Sequence, residues 1–453
     1  MKIDKNRLSQ HAVWLPLFLL AFTACKKDGP EPDYPAGSDQ YINDWILDSM
    51  QVYYYWNSSL PKNPSFDQAP LDFFATLKNP QDRFSRIYNA SVPESYYPSP
   101  VQNFGFELIV YDSGSGDIRT SIALVVPGSQ AQLSGLQRGQ TITSINGTAP
   151  TAANIQQLIR TAVAMRAMTL DISGLGTVDI AGTTISENSV YLYKVFNEQS
   201  QSIGYLFYNS FDGRYRQNIL QAFAAFKQAG ITELILDLRY NAGGDVGVCA
   251  ALAAALSSVD DNDTFVEYRG NSNAGVRKET FAKTRSKTYS GAPFSLSEIQ
   301  NMRIPLDRIF ILTGAHTASA AEFLVKSLRA WTEVIQIGGT TLGKDMASFS
   351  IKDGNSTKNN AWSIEPMVFK LYNARGEGDY PTGLIPDVTI DELSEPLLPL
   401  GEPDDPLISE ALGRINGRSR LARANKAIAD NRPQILYDSR TATDKHTNFI
   451  ITP

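Results

Sequence analysis

Three short segments of this 453-residue chain carry side chains able to make and break covalent bonds. In Thr313-Gly314-Ala315-His316-Thr317-Ala318-Ser319-Ala320-Ala321-Glu322, Ser319 falls where a strand meets a helix. Unpaired N–H groups and the helix dipole favour negative charge at such a place. Ser319 and Glu322 also have the S-x-x-E spacing of a capping box, so a purely structural role accounts for the same residues. Gly338-Gly339-Thr340-Thr341-Leu342-Gly343-Lys344-Asp345 nearly matches a phosphate-binding loop. Asp345, however, stands where that loop needs Ser or Thr to ligate magnesium, and nucleotide binding is rejected. Lys344, between glycine and apolar residues, has another use: desolvation lowers an amine's pKa until the neutral form can accept a proton near pH 7. In Leu236-Asp237-Leu238-Arg239-Tyr240-Asn241-Ala242-Gly243-Gly244, the paired glycines allow positive φ and can turn successive N–H groups into one concavity suited to an oxyanion. A strand-to-helix turn that needs glycine for geometry alone is the equal alternative.

Elimination narrows the nucleophile. Of three histidines, His11 lies in the leader, His446 in the terminal tail, and His316 only three residues before Ser319. A Ser-His-Asp triad therefore lacks its base, and His316 is left to line the site or shape the turn. Neither a G-x-S-x-G elbow nor an H-E-x-x-H helix occurs. Cys249, within Val246-Gly247-Val248-Cys249-Ala250, reads as a buried structural thiol. A Ser–Lys arrangement is the simplest nucleophilic site that remains.

The elements that must position these loops are legible as alternation. Within 190–395, strands at 203–208, 233–238, 308–313 and 333–337 alternate with helices at 217–228, 246–257 and 318–330, the pattern of an α/β domain built from crossover units. The polar stretch 271–302 reads as an insertion or lid. Ahead of this core, residues 41–100 place Tyr41, Trp45, Met50, Tyr53 and Trp56 at helical spacing and form a small helical cap. Residues 101–178 change to short strands, with Asn146-Gly147 as a hairpin signal. This run resembles a PDZ domain over about seventy residues, Phe104-Gly105-Phe106 standing where such domains bind a carboxylate. Backbone N–H groups there would hold a peptide's C-terminus while an edge strand accepts the peptide, or the module only packs and gates. Residues 396–453 hold a short helix and a tail without readable chemistry.

Charge and leader set the compartment. Lys and Arg number 41 against 47 Asp and Glu, a net −6, which offers no positive field for nucleic acid. Two cysteines exclude both a disulfide scaffold and a cysteine-built zinc site. Residues 1–24, basic and then apolar, form a signal peptide. Phe22-Thr23-Ala24-Cys25 resembles a bacterial lipobox, which implies lipidation of Cys25, with 25–40 as linker. Cleavage that leaves a free thiol is the alternative.

Together these segments resemble the carboxyl-terminal processing proteases. That serine peptidase family has a T-A-S-A-S-E-like turn, a G-K turn twenty-five residues after its serine, a D-L-R-x-N-x-G-G loop and a closing G-x-x-P-D segment. Thr317-Ala318-Ser319, Gly343-Lys344, Asp237 to Gly244, and Gly383-Leu384-Ile385-Pro386-Asp387 match them, with Ser319 and Lys344 twenty-five apart. The resemblance implies a multidomain α/β protein: a crotonase/ClpP-like protease core, a PDZ-like β-rich domain and a small N-terminal helical cap. It implies that Ser319 attacks the scissile carbonyl, that Lys344 is its general base, and that N–H groups of Gly243 or Gly244 and Ala320 hold the oxyanion. No metal or cofactor is implied. Ser348 replaces the glutamine many members have four residues after the lysine and would orient Lys344 by its hydroxyl; Ala321 replaces a second serine. The expected protein is an envelope-anchored endopeptidase, on the periplasmic or cell-surface side, acting on proteins or peptides chosen by unstructured C-termini. A non-catalytic peptide-binding lipoprotein on the same scaffold is the alternative.

Overall fold

The computed structural model describes residues 34–417 and 433–442, apart from 93, 94, 96–98, 115, 200, 305, 356 and 358. The signal peptide, Cys25 and His446 lie outside the described residues.

Helix α1 (Asp39–Tyr53) begins where the Ser38 hydroxyl accepts from Tyr41 N–H at 3.2 Å. Its Ile42, Ile46, Leu47 and Met50 pack on Phe73, Phe74 and Leu77 of α2 (Pro70–Leu77) and on Ile87 of β1 (Arg86–Tyr88). Next come α3 (Pro100–Phe104), β2 (Phe106–Asp112) and β3 (Ile118–Val125), the two strands pairing antiparallel. Helix α4 (Gln130–Leu133), β4 (Ile142–Ile145), α5 (Ile155–Met165), β5 (Ala167–Ile172) and β6 (Gly176–Ala181) follow, the strands forming a second antiparallel sheet.

The core opens with β7 (Val190–Glu198), β8 (Gln201–Tyr208), α6 (Arg216–Ala229), β9 (Glu233–Asp237) and α7 (Val246–Ala255). It continues through β10 (Thr264–Arg269), β11 (Val276–Thr280), α8 (Phe281–Arg285), α9 (Leu296–Met302), β12 (Arg308–Thr313), α10 (Ala320–Leu328) and β13 (Glu333–Gly338). Short strands β14 (Met346–Ser348), β15 (Ile351–Lys352) and β16 (Ser363–Glu365) precede β17 (Met367–Tyr372), β18 (Val388–Thr389) and α11 (Pro406–Ile415). Strand β19 (Gln434–Asp438) closes the described chain with a short helix, Ser439–Ala442.

The result is a mixed α/β fold with several sheets and an N-terminal helical region. Its main sheet has the order β18-β13-β12-β9-β8-β7, parallel except for the β7–β8 hairpin. Its central strands read as unbroken apolar runs because both faces are covered. Ile309 and Ile311 join the core formed with α6, α7 and α10, while Phe310 and Leu312 meet Leu407, Ile408 and Ala411 of α11 on the other face. All ten residues of α7 are buried, as its uniformly apolar sequence requires.

Two expectations change. The stretch 271–302 is no lid: β11 pairs with β10, and Phe281, Phe294, Ile299 and Met302 enter the main core. Its polar residues cover an edge, while a few apolar ones anchor it. The tail is not inert either, since β19 pairs antiparallel with β2.

Candidate active site

Ser319 lies between β12 and α10 in an unusual backbone state, φ 58° and ψ −118°. A non-glycine residue pays for that conformation by about 1–3 kcal/mol and persists in it only where its neighbours over-determine it. They do so here. Thr317 Oγ1 accepts from Gly314 N–H at 2.9 Å and donates to Leu238 O at 2.8 Å, and Ala318 N–H donates to Asn241 O at 3.0 Å. Ser319 is fully buried, and among the described residues its Oγ has no hydrogen-bond partner. The S-x-x-E spacing does form a capping box at the start of α10, in which Glu322 accepts from Ser319 N–H at 2.8 Å.

Glu322 is the organising residue, and sequence reading saw it only as a cap. Its Oε2 accepts from Ser319 N–H and from Lys344 N–H, each at 2.8 Å. Its Oε1 accepts from Gly343 N–H at 2.7 Å and from Thr341 Oγ1 at 2.5 Å. The serine and lysine main-chain nitrogens can therefore be no further apart than twice 2.8 Å. Burial pushes this carboxyl up, but four donors converge on it, and donors without an acceptor define a carboxylate.

Lys344 is 5% exposed, and its Nζ lies 5.5 Å from the centroid of the Phe84 ring. Phe84 comes from the N-terminal region, which is fastened here by Arg83: its guanidinium donates to Pro381 O at 3.0 Å and to Leu342 O at 3.3 Å. Gly343 has φ 88°, and a Cβ there would stand 2.4 Å from Pro381 O, so the turn before the lysine admits only glycine. Sequence periodicity gave no sign that Phe84 would face Lys344. Tyr380 OH is buried and, among the described residues, unpartnered; burial, then the nearby Glu322 and Asp345, push its ionisation up.

The glycine loop lies directly against the serine. A Cβ on Gly243, whose φ is 107°, would stand 2.8 Å from Ser319 Cβ and 2.9 Å from Ala320 N. Ala320 is the first residue of α10, where an N–H has no intrahelical acceptor. Gly243 N–H itself donates to Asn241 Oδ1 at 2.8 Å, so of the two glycines expected as oxyanion donors it is Gly244 that stays in consideration. Behind the loop, Arg239 donates to Asp237 at 3.0 Å and forms a two-pronged bond with Asp405 at 2.9 and 3.0 Å, all three side chains buried. This ion network fixes the end of β9 to the start of α11.

Other expectations are corrected by geometry. Ser348 is fully buried at the end of β14, but its Oγ has no partner among the described residues, so it does not bond Lys344. Phe104 and Phe106 are wholly buried core residues, and Gly105 N–H ends α3 by donating to Val101 O at 3.0 Å. That segment is a helix C-cap rather than a nest open to a carboxylate. Cys249, as expected, is buried, its Sγ donating to Ala320 O at 3.4 Å, and burial raises its pKa. His316 Nε2 turns to Asp438 Oδ2 at 2.7 Å.

The family match and the relatives make the chain a serine peptidase. The chain carries peptidase S41 family domains: the model of that family matches residues 202–390, and that of the S41 N-terminal domain matches 41–86. It is 23% identical over 346 residues to the carboxy-terminal processing protease CtpA of Bacillus subtilis, covering 72% of this chain and 67% of that one. It is 20% identical to the chloroplastic carboxyl-terminal-processing peptidase 1 of Arabidopsis thaliana, over 60% of this chain and 54% of the relative. Among solved structures, one from Bacteroides fragilis assigned to the S41 proteases superposes with a TM-score of 0.68 at 25% identity, over 85% of this chain and 99% of that one.

Proposed function

We propose that the protein is a serine endopeptidase working through Ser319 and Lys344, with a crotonase/ClpP-like core and a PDZ-like module at 101–178. The observation that carries this reading is the Glu322 carboxylate, which holds the nucleophile turn and the lysine turn by their N–H groups at 2.8 Å each. In the reaction, Lys344 Nζ removes the Ser319 proton as Oγ attacks the peptide carbonyl. The lysine then returns that proton to the leaving amine, and water resolves the acyl-enzyme by the same route. As a base Lys344 must act as the uncharged amine, and its side chain is buried, its Nζ 5.5 Å from the centroid of the Phe84 ring. N–H groups of Ala320 and Gly244 receive the oxyanion, a donor of this kind being worth roughly 2.7–4 kcal/mol of barrier.

Ser319→Ala and Lys344→Ala are expected to abolish cleavage of a disordered protein such as β-casein while leaving the melting temperature within a few degrees. A serine-directed phosphonate should label the parent and not Ser319→Ala. Undiminished cleavage by both variants would remove the mechanism, and absent labelling of the parent would leave a peptide-binding shell.

We further propose that Cys25 is acylated and anchors the enzyme outside the cytoplasm, the reading supported by the lipobox-like Phe22-Thr23-Ala24-Cys25. Cys25→Ser should move the protein from the membrane to the soluble fraction; unchanged membrane retention would count against the anchor.

A further inference from the structure

The edge of β2 is the strand edge at which a PDZ-like module would accept a peptide, and in this structure it is occupied. Strand β19 pairs antiparallel with it, Gln434 opposite Asp112 and Asp438 opposite Ile109, so the segment runs toward Phe106. Where β19 ends, Leu108 N–H donates to Ser439 Oγ at 2.9 Å, and that hydroxyl donates to the Glu107 carboxylate. The sheet order β19-β2-β3 leaves β2 no free edge along this stretch.

The same segment reaches the catalytic loops. Asp438 accepts from His316, three residues before Ser319, and from the Arg440 side chain at 2.9 and 2.6 Å. The Arg440 guanidinium lies 4.2 Å from the centroid of the Tyr240 ring, three residues before Gly243. Tyr240 OH in turn donates to Glu392 at 2.7 Å and accepts from Arg138 of the 101–178 module at 3.0 Å. Asp438, Ser439 and Arg440 are buried, whereas Ile435 and Leu436 remain 48% and 37% exposed. The strand is thus held by main-chain pairing, by the charged anchor at Asp438 and Arg440, and by one partly buried ring, Tyr437, against the core of the 101–178 module, while Ile435 and Leu436 add little apolar burial, so a competing strand with an aromatic residue at that position can replace it.

We propose that residues 434–442 are a self-supplied ligand of the β2 edge, and that an extended peptide pairing with the same edge displaces them and so releases the turn that carries Ser319. The occupant is an internal segment of this chain, and its competitor is a substrate strand or the tail of a second copy. Complete burial of Ser319 in the tail-bound form fits a closed state. The inference rests on the peptidase reading for its consequence, but not for its binding step.

The test uses the full-length chain in a Ser319→Ala background and a fluorescent peptide with the sequence of residues 433–453. Asp438→Ala/Arg440→Ala should bind this peptide at least tenfold more tightly than the background protein. A second variant, Tyr111→Cys/Ile435→Cys, places thiols on residues that face each other across the β2–β19 pair. Its oxidised form should bind no peptide, and reduction should restore binding. With Ser319 intact, the oxidised form should also cleave β-casein at least tenfold more slowly than the reduced form. Equal peptide binding by all forms, or equal cleavage by locked and unlocked enzyme, would overturn the proposal. The predicted binding pattern without cleavage by any form would support the tail as ligand and sink only the peptidase reading.

Discussion

Ser319 and Lys344 donate their main-chain N–H groups to one oxygen of the same buried carboxylate, Glu322 Oε2, although twenty-five residues separate them in the chain. The carboxylate touches neither reactive atom in these bonds. It sets where two turns stand relative to each other, which makes Glu322 a positioning residue.

Glu322→Gln follows directly from that geometry. An amide presents one acceptor oxygen and one NH2 group to four donors, so two N–H or O–H groups lose their partner. Each orphaned buried group costs about 1–3 kcal/mol, and kcat should fall at least ~100-fold with little change in KM. A urea titration and steady-state kinetics on one substrate check both; a fall confined to KM would contradict the assignment.

Gly243→Ala should affect turnover more than folding. The added methyl would meet Ser319 Cβ at 2.8 Å and Ala320 N at 2.9 Å, filling the space in front of an oxyanion donor. At φ 107° an alanine is also strained, by about 1–3 kcal/mol. We expect kcat to drop at least ~100-fold. Phosphonate labelling should slow in parallel, and labelling at the parent's rate would show that this space is not where the oxyanion forms.

His316 predicts a pH dependence of stability. Burial, and then the Arg440 guanidinium, hold the imidazole below its ordinary value, against the pull of Asp438 and Glu392. Burial also works against the Asp438 carboxylate, but Arg440 and His316 outweigh it and keep that group ionised well below the usual range. A histidine whose folded pKa lies below its unfolded value of about 6.5 binds fewer protons folded than unfolded between the two, so stability rises with pH through that window. It levels off above about pH 7 and is lost as pH falls toward the folded value. The difference in unfolding free energy between the parent and His316→Gln should therefore grow with pH up to about pH 7 and then stay flat. Parallel pH profiles for the two proteins would exclude the histidine as the source.

Much of the core was legible because its strands are covered on both faces, which turns β9 and β12 into short apolar runs bounded by loops. The spacing of Ser319 and Lys344 was legible for the same reason: each follows such a strand. Sequence patterns did not show the role of Glu322, since S-x-x-E describes a helix cap equally well. Nor did they show that Phe84 meets Lys344, or that Gln434–Asp438 pairs with β2, because a partner hundreds of residues away leaves no local periodicity. The three-residue β14 and two-residue β15 are too short to repeat a pattern at all. At Phe104-Gly105-Phe106 the motif resemblance misled, since a glycine that ends a helix and one that opens a nest have the same left-handed backbone.

The long closures around the site also bear on when it can exist. Arg83 reaches Leu342 across 259 positions and Leu108 reaches Ser439 across 331. Contacts this non-local carry a large loop-closure entropy and tend to form late on the way to the native state. A newly made chain therefore has its hydroxyl and its amine before it has the wall and the strap that bring them to order.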